Sequence, residues 1–293
     1  MKTETTEEKY KIFLSHYVNN IESYKTLYNE ALDEADIVTK EMLDAMYGDY
    51  DFYKYEDYVN LLNKSSIENL YLYSEQEVLE EILIPVNIKK IVLNFPNLIQ
   101  IDDDFLSGCS GLVDIDLSGL SVLRSIGDDF LSRCTGLVSI DLSELSGLRS
   151  IGDNFLYNCS GLTGIDLSGM SGLRSIGDNF LNECWVLNDV NLSGLSDVRS
   201  IGNDFLFGCS ELIEIDLSSM TSVTSIGKGF LSGCNELDVI DLSSMTRLTS
   251  IGKQFLSGCG GLIDVIVIRD SSISNIIDRM EFDESFNVIE NIP

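Results

Sequence analysis

Seven cysteines stand in the 293-residue chain at one fixed interval of 25 residues: Cys109, Cys134, Cys159, Cys184, Cys209, Cys234 and Cys259. Thiols at constant spacing raise three chemistries: disulfide exchange, metal ligation and plain packing. An odd number cannot pair completely, and buried parallel side chains rarely reach the dihedral that a disulfide requires. A zinc site has little else to draw on, because His16 is the sole histidine. Packing is the preferred reading, since a buried free cysteine behaves as a small hydrophobe. Unoxidised thiols suit a reducing compartment. The opening MKTETTEEKYKIFLSHYVNN has no apolar signal-peptide core. An intracellular, cytoplasmic setting is therefore expected.

Carboxylates keep the same clock. Asp116, Asp141, Asp166, Asn191, Asp216 and Asp241 occupy one position of successive units, and Ile266 ends the series. Stacked at strand spacing they repel one another, which points to a solvated face or to docking of a basic protein partner. Calcium is disfavoured, because no D-x-D-x-D-G loop with a distal glutamate is present. The cluster Asp102-Asp103-Asp104 resembles a catalytic carboxylate group. Its equivalents Asp128-Asp129 and Asp153-Asn154 recur from unit to unit, which marks a turn. Phosphate-binding, dinucleotide-binding and nucleophile-elbow motifs are all missing. No catalytic residue, metal or cofactor is expected. His16 reads as a packing residue.

With 48 acidic against 19 basic residues the net charge is −29. Such a charge repels phosphate backbones and anionic lipid, so nucleic acid and membrane are poor partners. No apolar run is long enough to span a bilayer.

The elements that place these columns follow from one unit, CTGLVSIDLSELSGLRSIGDNFLYN, which starts at Cys134. Leu137, Ile140 and Leu142 make a short strand with alternate residues turned inward. Leu145, Leu148 and Ile151 are the next inward set. Gly152 permits a sharp turn, and Asp153-Asn154-Phe155-Leu156 is expected to open a short helical turn. One unit cannot enclose its own apolar face, so stacking must complete the core, which predicts a solenoid. A pentapeptide-repeat reading of the interval fails, since fivefold steps from Leu137 reach Gly147, Gly152 and Tyr157.

The pattern L-x-x-I-D-L-S-x-(L/M)-x-x-(L/V)-x-S-I-G-x-x-F-L-x-x-C resembles the BspA-type leucine-rich repeat over Ile88 to about Val267. Phe-Leu stands where that family has Ala-Phe. The resemblance implies a right-handed leucine-rich-repeat solenoid: a parallel β-sheet with short helical turns in 25-residue coils. It implies adhesion or interaction in place of catalysis.

Two further columns change together. Arg124, Arg149, Arg174 and Arg199 give way to Thr224 and Thr249, while Asp128, Asp153, Asp178 and Asn203 give way to Lys228 and Lys253. This predicts that each arginine lies near the following aspartate. Trp185, the sole tryptophan, replaces a small turn residue and is a candidate exposed anchor.

Residues 1–65 differ in kind. Thr5 and Glu8 form a capping box, and apolar residues from Tyr10 to Ala45 recur at helical spacing. They predict an α-helical N-terminal cap, with a coiled coil as the alternative. The segment DYDFYKYEDY is expected to be a loop or short helix. Residues 66–269 form the solenoid, degenerate to about residue 100 and then regular for seven coils, and 270–293 form a C-terminal cap. The expected function is a non-enzymatic protein-binding scaffold presenting the acidic column, with Asp116, Asp141, Asp166, Asn191, Asp216, Asp241 and Trp185 as contact residues. The alternative is a structural component of a larger assembly, joined through the N-terminal helices or the solenoid ends.

Overall fold

The computed structural model describes residues 51–54, 69–73, 78–79, 88–268, 277 and 287–291. The expected N-terminal helix, its heptad seam and His16 lie outside them. Within the described residues the chain is a parallel β-solenoid. Strands pair one coil to the next with a 25-residue step, as in Ser125↔Ser150 and Ile126↔Ile151 or Val190↔Ile165.

Each coil offers two short strand sides. The L-x-x-I-x-L segments form the first, through Asp114–Asp116, Gly164–Asp166, Asp189–Asn191, Val239–Asp241 and Asp264–Ile268. The Ser-Ile pairs from Ser125–Ile126 to Ser250–Ile251 form the second. The predicted inward residues are the core: Leu137, Ile140, Leu142, Leu145, Leu148 and Ile151 are buried, as are their equivalents up and down the stack. Phe105, Phe130, Phe155, Phe180, Phe205, Phe230 and Phe255 form one continuous column. Successive rings lie 5.1–5.9 Å apart and within 8–11° of parallel. That spacing is close to the inter-strand distance of a sheet, so the column keeps the pitch that the strands set.

The Phe-Leu corner corrects one expectation, because it is not helical. In the coil from Cys134, Asn154, Leu156 and Asn158 all take positive φ, at 59°, 54° and 52°. Asp129, Leu131 and Arg133 do the same one coil earlier. A left-handed leucine is disfavoured locally. Bonds between coils hold it: Leu156 donates its N–H to Phe130 O at 3.0 Å, while Asn154 and Asn158 donate to Asp178 O and Asn182 O at 2.7 Å. The corner is thus a third hydrogen-bonded side of the coil.

The ladder also runs past both expected boundaries. Asp51–Lys54, read as loop or short helix, is a strand parallel to Asn69–Tyr73. At the other end Asn287–Asn291 pairs in parallel with Asp264–Ile268. The early coils are shorter, stepping 21 residues from Asn69 to Lys90. Leu70, Leu72, Ile88, Ile91 and Leu93 are buried there, as the strand template requires.

Candidate interaction surface

All seven cysteines are buried, and none is in a disulfide. Each of the last six donates its S–H to a leucine carbonyl in the preceding coil, from Cys134 to Leu106 at 3.2 Å to Cys259 to Leu231 at 3.0 Å. Those leucines are the left-handed ones, whose carbonyls turn inward. A small side chain carrying a weak donor fits both demands, which accounts for cysteine at this column. Burial pushes the Cys109 thiol up to about 11 and the Cys184 thiol up to about 12. Thiolate, the reactive form, is therefore scarce at neutral pH. A thiol reagent should react little with native protein even as pH rises from about 7 to 9, and should reach seven thiols after unfolding. A disulfide between adjacent coils, or rapid native labelling, would contradict this.

The acidic column lies at the exposed end of the first strand side, and each member also builds a turn. Oδ1 of Asp116, Asp141, Asp166, Asp216 and Asp241 accepts the backbone N–H two residues ahead at 2.8–2.9 Å. Asn191 does the same for Ser193 at 3.0 Å. This is the Asx turn, for which aspartate and asparagine serve alike. The backbone N–H of Ser143, then its hydroxyl, holds the Asp141 carboxyl below the ordinary range. The Ser218 hydroxyl, then its N–H, does so for Asp216. A depressed folded pKa gives stability that is present above the unfolded value of about 4 and lost as pH falls through the folded one. Acid should therefore loosen the Asp141 and Asp216 turns below about pH 4, seen as a falling melting temperature, with no such change between about pH 5 and 8.

The arginine and aspartate columns form no ion pairs with each other. None of Arg124, Arg149 or Arg174 makes an ion pair, whereas Lys90 pairs with Asp114 at 3.9 Å. Arg149 donates to Leu148 O at 3.3 Å, and its guanidinium lies across the next coil, where a Cβ on Gly172 would strike it. The aspartates turn along the solenoid axis. Oδ1 of Asp103, Asp128, Asp153 and Asp178 each accepts the amide of the equivalent residue one coil on, at 2.7–2.8 Å. Asn203 continues the chain to Lys228 at 2.8 Å. A lysine side chain cannot accept, so the relay stops there. Nothing in the structure links this change to the loss of arginine. The same relay places Asp102–Asp104 at a turn.

Trp185 is 52% exposed, as the broken pattern suggested. A second set of outward residues carried a weaker signal. Val113, Val138, Ile213 and Ile263 follow the first inward leucine of their coils and are 45%, 47%, 58% and 56% exposed. Apolar residues recurring at an outward position were the available clue. The seven segments from Leu112–Leu117 to Leu262–Val267 hold ten aspartates and glutamates and no lysine or arginine. Over these seven segments the side therefore combines acidic charge with scattered aliphatic contacts, and Lys90 of the preceding coil pairs with the first acid, Asp114. Among the described residues, no group of acidic, cysteine or histidine side chains could hold a metal ion.

The family model described as BspA type leucine rich repeat region (6 copies) matches residues 85–195 and 170–289. No curated protein sequence matches the chain. Among solved structures, a leucine-rich repeat protein of T. pallidum is 25% identical, with a TM-score of 0.51. That alignment covers 68% of this chain and 86% of the other. A leucine-rich repeat protein from Bacteroides ovatus ATCC 8483 is 24% identical, with a TM-score of 0.50, over 77% of this chain and 60% of that one. Repeat interval, inward residues and parallel coil pairing agree with the family match: the chain belongs to the BspA-type leucine-rich repeat family.

Proposed function

We propose that the chain is a non-enzymatic scaffold that binds a basic protein partner on its acidic strand side. One observation carries this reading: ten acidic side chains and no basic one stand along the seven segments of that side. A field of one sign speeds encounter with an oppositely charged partner and weakens as salt rises. The contact residues are Asp116, Asp141, Asp166, Asp216 and Asp241, with Asn191 among them. The leucine-rich repeat architecture, commonly used for protein interaction, supports the same reading.

Converting Asp141, Asp166 and Asp216 to asparagine tests it. Asn191 already makes the same turn bond, so the fold should be kept, with repulsion along the column relieved. Affinity for a partner captured from the native source should fall at low salt, and the dependence on salt should flatten. Unchanged affinity and slope would refute the proposal.

The alternative, a component of a larger assembly, draws on the terminal strand, where Val288 and Ile289 are 40% and 39% exposed. Light scattering separates the two: a monomer at all concentrations favours the scaffold, and a defined oligomer the assembly.

A further inference from the structure

The strand side is not uniform. Its ladder lapses between Asp114–Asp116 and 139–140, and again at 214–216, which pairs neither with Asp189–Asn191 nor with Val239–Asp241, although the register of the neighbours would align it with both. Asp189 and Glu214 fall opposite each other in that register, and like charges opposed across strands are destabilising. A groove of about 260 Å³ opens there, lined by Asn188, Asp189, Val190, Glu214, Ile215 and Asp216. Ile215 is partly exposed, whereas its equivalents Ile115, Ile140, Ile165 and Ile240 are buried.

The departures from the repeat gather at the same place. Trp185 replaces the Ser or Thr of the preceding coils, Val186 and Glu211 replace glycine, and Ile213 is the most exposed of the large apolar residues described. Trp185 and Glu211 are joined across coils, because Glu211 donates its N–H to Trp185 O at 3.2 Å. Ile213 directly precedes the 214–216 wall of the groove, and Trp185 stands three residues before Asn188 of the other wall. Both wall segments, 188–190 and 214–216, lack a cation.

We infer that this groove is the docking point on the strand side, and that its occupant is an extended cationic segment in which Lys or Arg alternates with apolar residues. The inference rests on the scaffold reading above and narrows it to two coils. Cations of the segment meet Asp189, Glu214 and Asp216. Its apolar side chains cover Ile213 and Ile215. Trp185 offers an aromatic face to a terminal cation. Alternation follows from extended backbone, whose successive side chains point to opposite sides. Cations set between Asp189 and Glu214 relieve their repulsion, so the 214–216 amides should gain protection on binding.

The probe is a capped peptide of alternating lysine and valine, with alternating glutamate and valine as control. Because Trp185 is the sole tryptophan, its emission reports occupancy, and calorimetry gives affinity independently. The lysine peptide should shift Trp185 emission, slow hydrogen exchange at 214–216 and bind with a steep salt dependence. Asp189→Asn with Glu214→Gln should weaken it about tenfold, and Asp114→Asn with Asp264→Asn, on the same strand side but away from the groove, less than about twofold, circular dichroism being unchanged in both. Loss in the second pair but not in the first would overturn the groove and leave the scaffold reading standing. Equal binding of the glutamate peptide would overturn the groove as well. No binding of the lysine peptide, together with an unaltered native interaction in both pairs, would overturn groove and scaffold together.

Discussion

Phe180→Ala is expected to lower folding stability by about 3–5 kcal/mol, the usual cost of removing a fully buried ring. The ring is 0% exposed and stacks on Phe155 at 5.1 Å and Phe205 at 5.6 Å, so neither neighbour can move in to fill the space without losing its own partner. In a solenoid stability is a sum of coil and interface terms, and the damage falls on the two interfaces of this coil. Urea unfolding should show a lower midpoint or two separated transitions. Phe207→Ala is the control: that ring is half-buried outside the column and should cost far less. Equal losses would mean that the aromatic column does not set the stack.

Gly177→Ala is the second large effect. A Cβ at this position would fall on the carbonyl oxygen of Gly152 and lie 2.5 Å from its carbonyl carbon. These are backbone atoms held in register, and they cannot turn aside as a side chain would. At least about 3 kcal/mol is expected, the upper range for overpacking. Gly260 has nothing within 4 Å of the same added atom. Gly260→Ala should therefore stay within about 1 kcal/mol of the native protein. Thermal melts of both variants check the pair.

Much of this architecture was legible because its forces repeat. Cysteine and phenylalanine kept the interval, and Leu137, Ile140 and Leu142 kept the strand period, so coil and core followed from counting. The Phe-Leu corner was not legible. Asp153-Asn154 looks like a helix start, and leucine gives no warning of positive φ. What holds Leu156 left-handed is its bond to Phe130 in another coil, a non-local force that no window of sequence contains. The arginine–aspartate pairing failed for a related reason. Charge suggested a partner within the coil, while the geometry turns Asp153 toward the Asp178 amide, 2.7 Å away in the next. At the candidate surface the aspartate column and exposed Trp185 were legible. The lapse at 214–216 was not, because which segments pair is settled only once the coils are stacked.

The most direct measurement is carboxyl footprinting of the free and partner-bound protein, read by mass spectrometry. If the acidic strand side is the docking surface, labelling of Asp141, Asp166, Asp189, Glu214 and Asp216 falls on binding, while Asp128, Asp153 and Asp178 on the relay keep their free-state labelling. Protection confined to the relay aspartates, with the strand-side carboxylates unchanged, would contradict it.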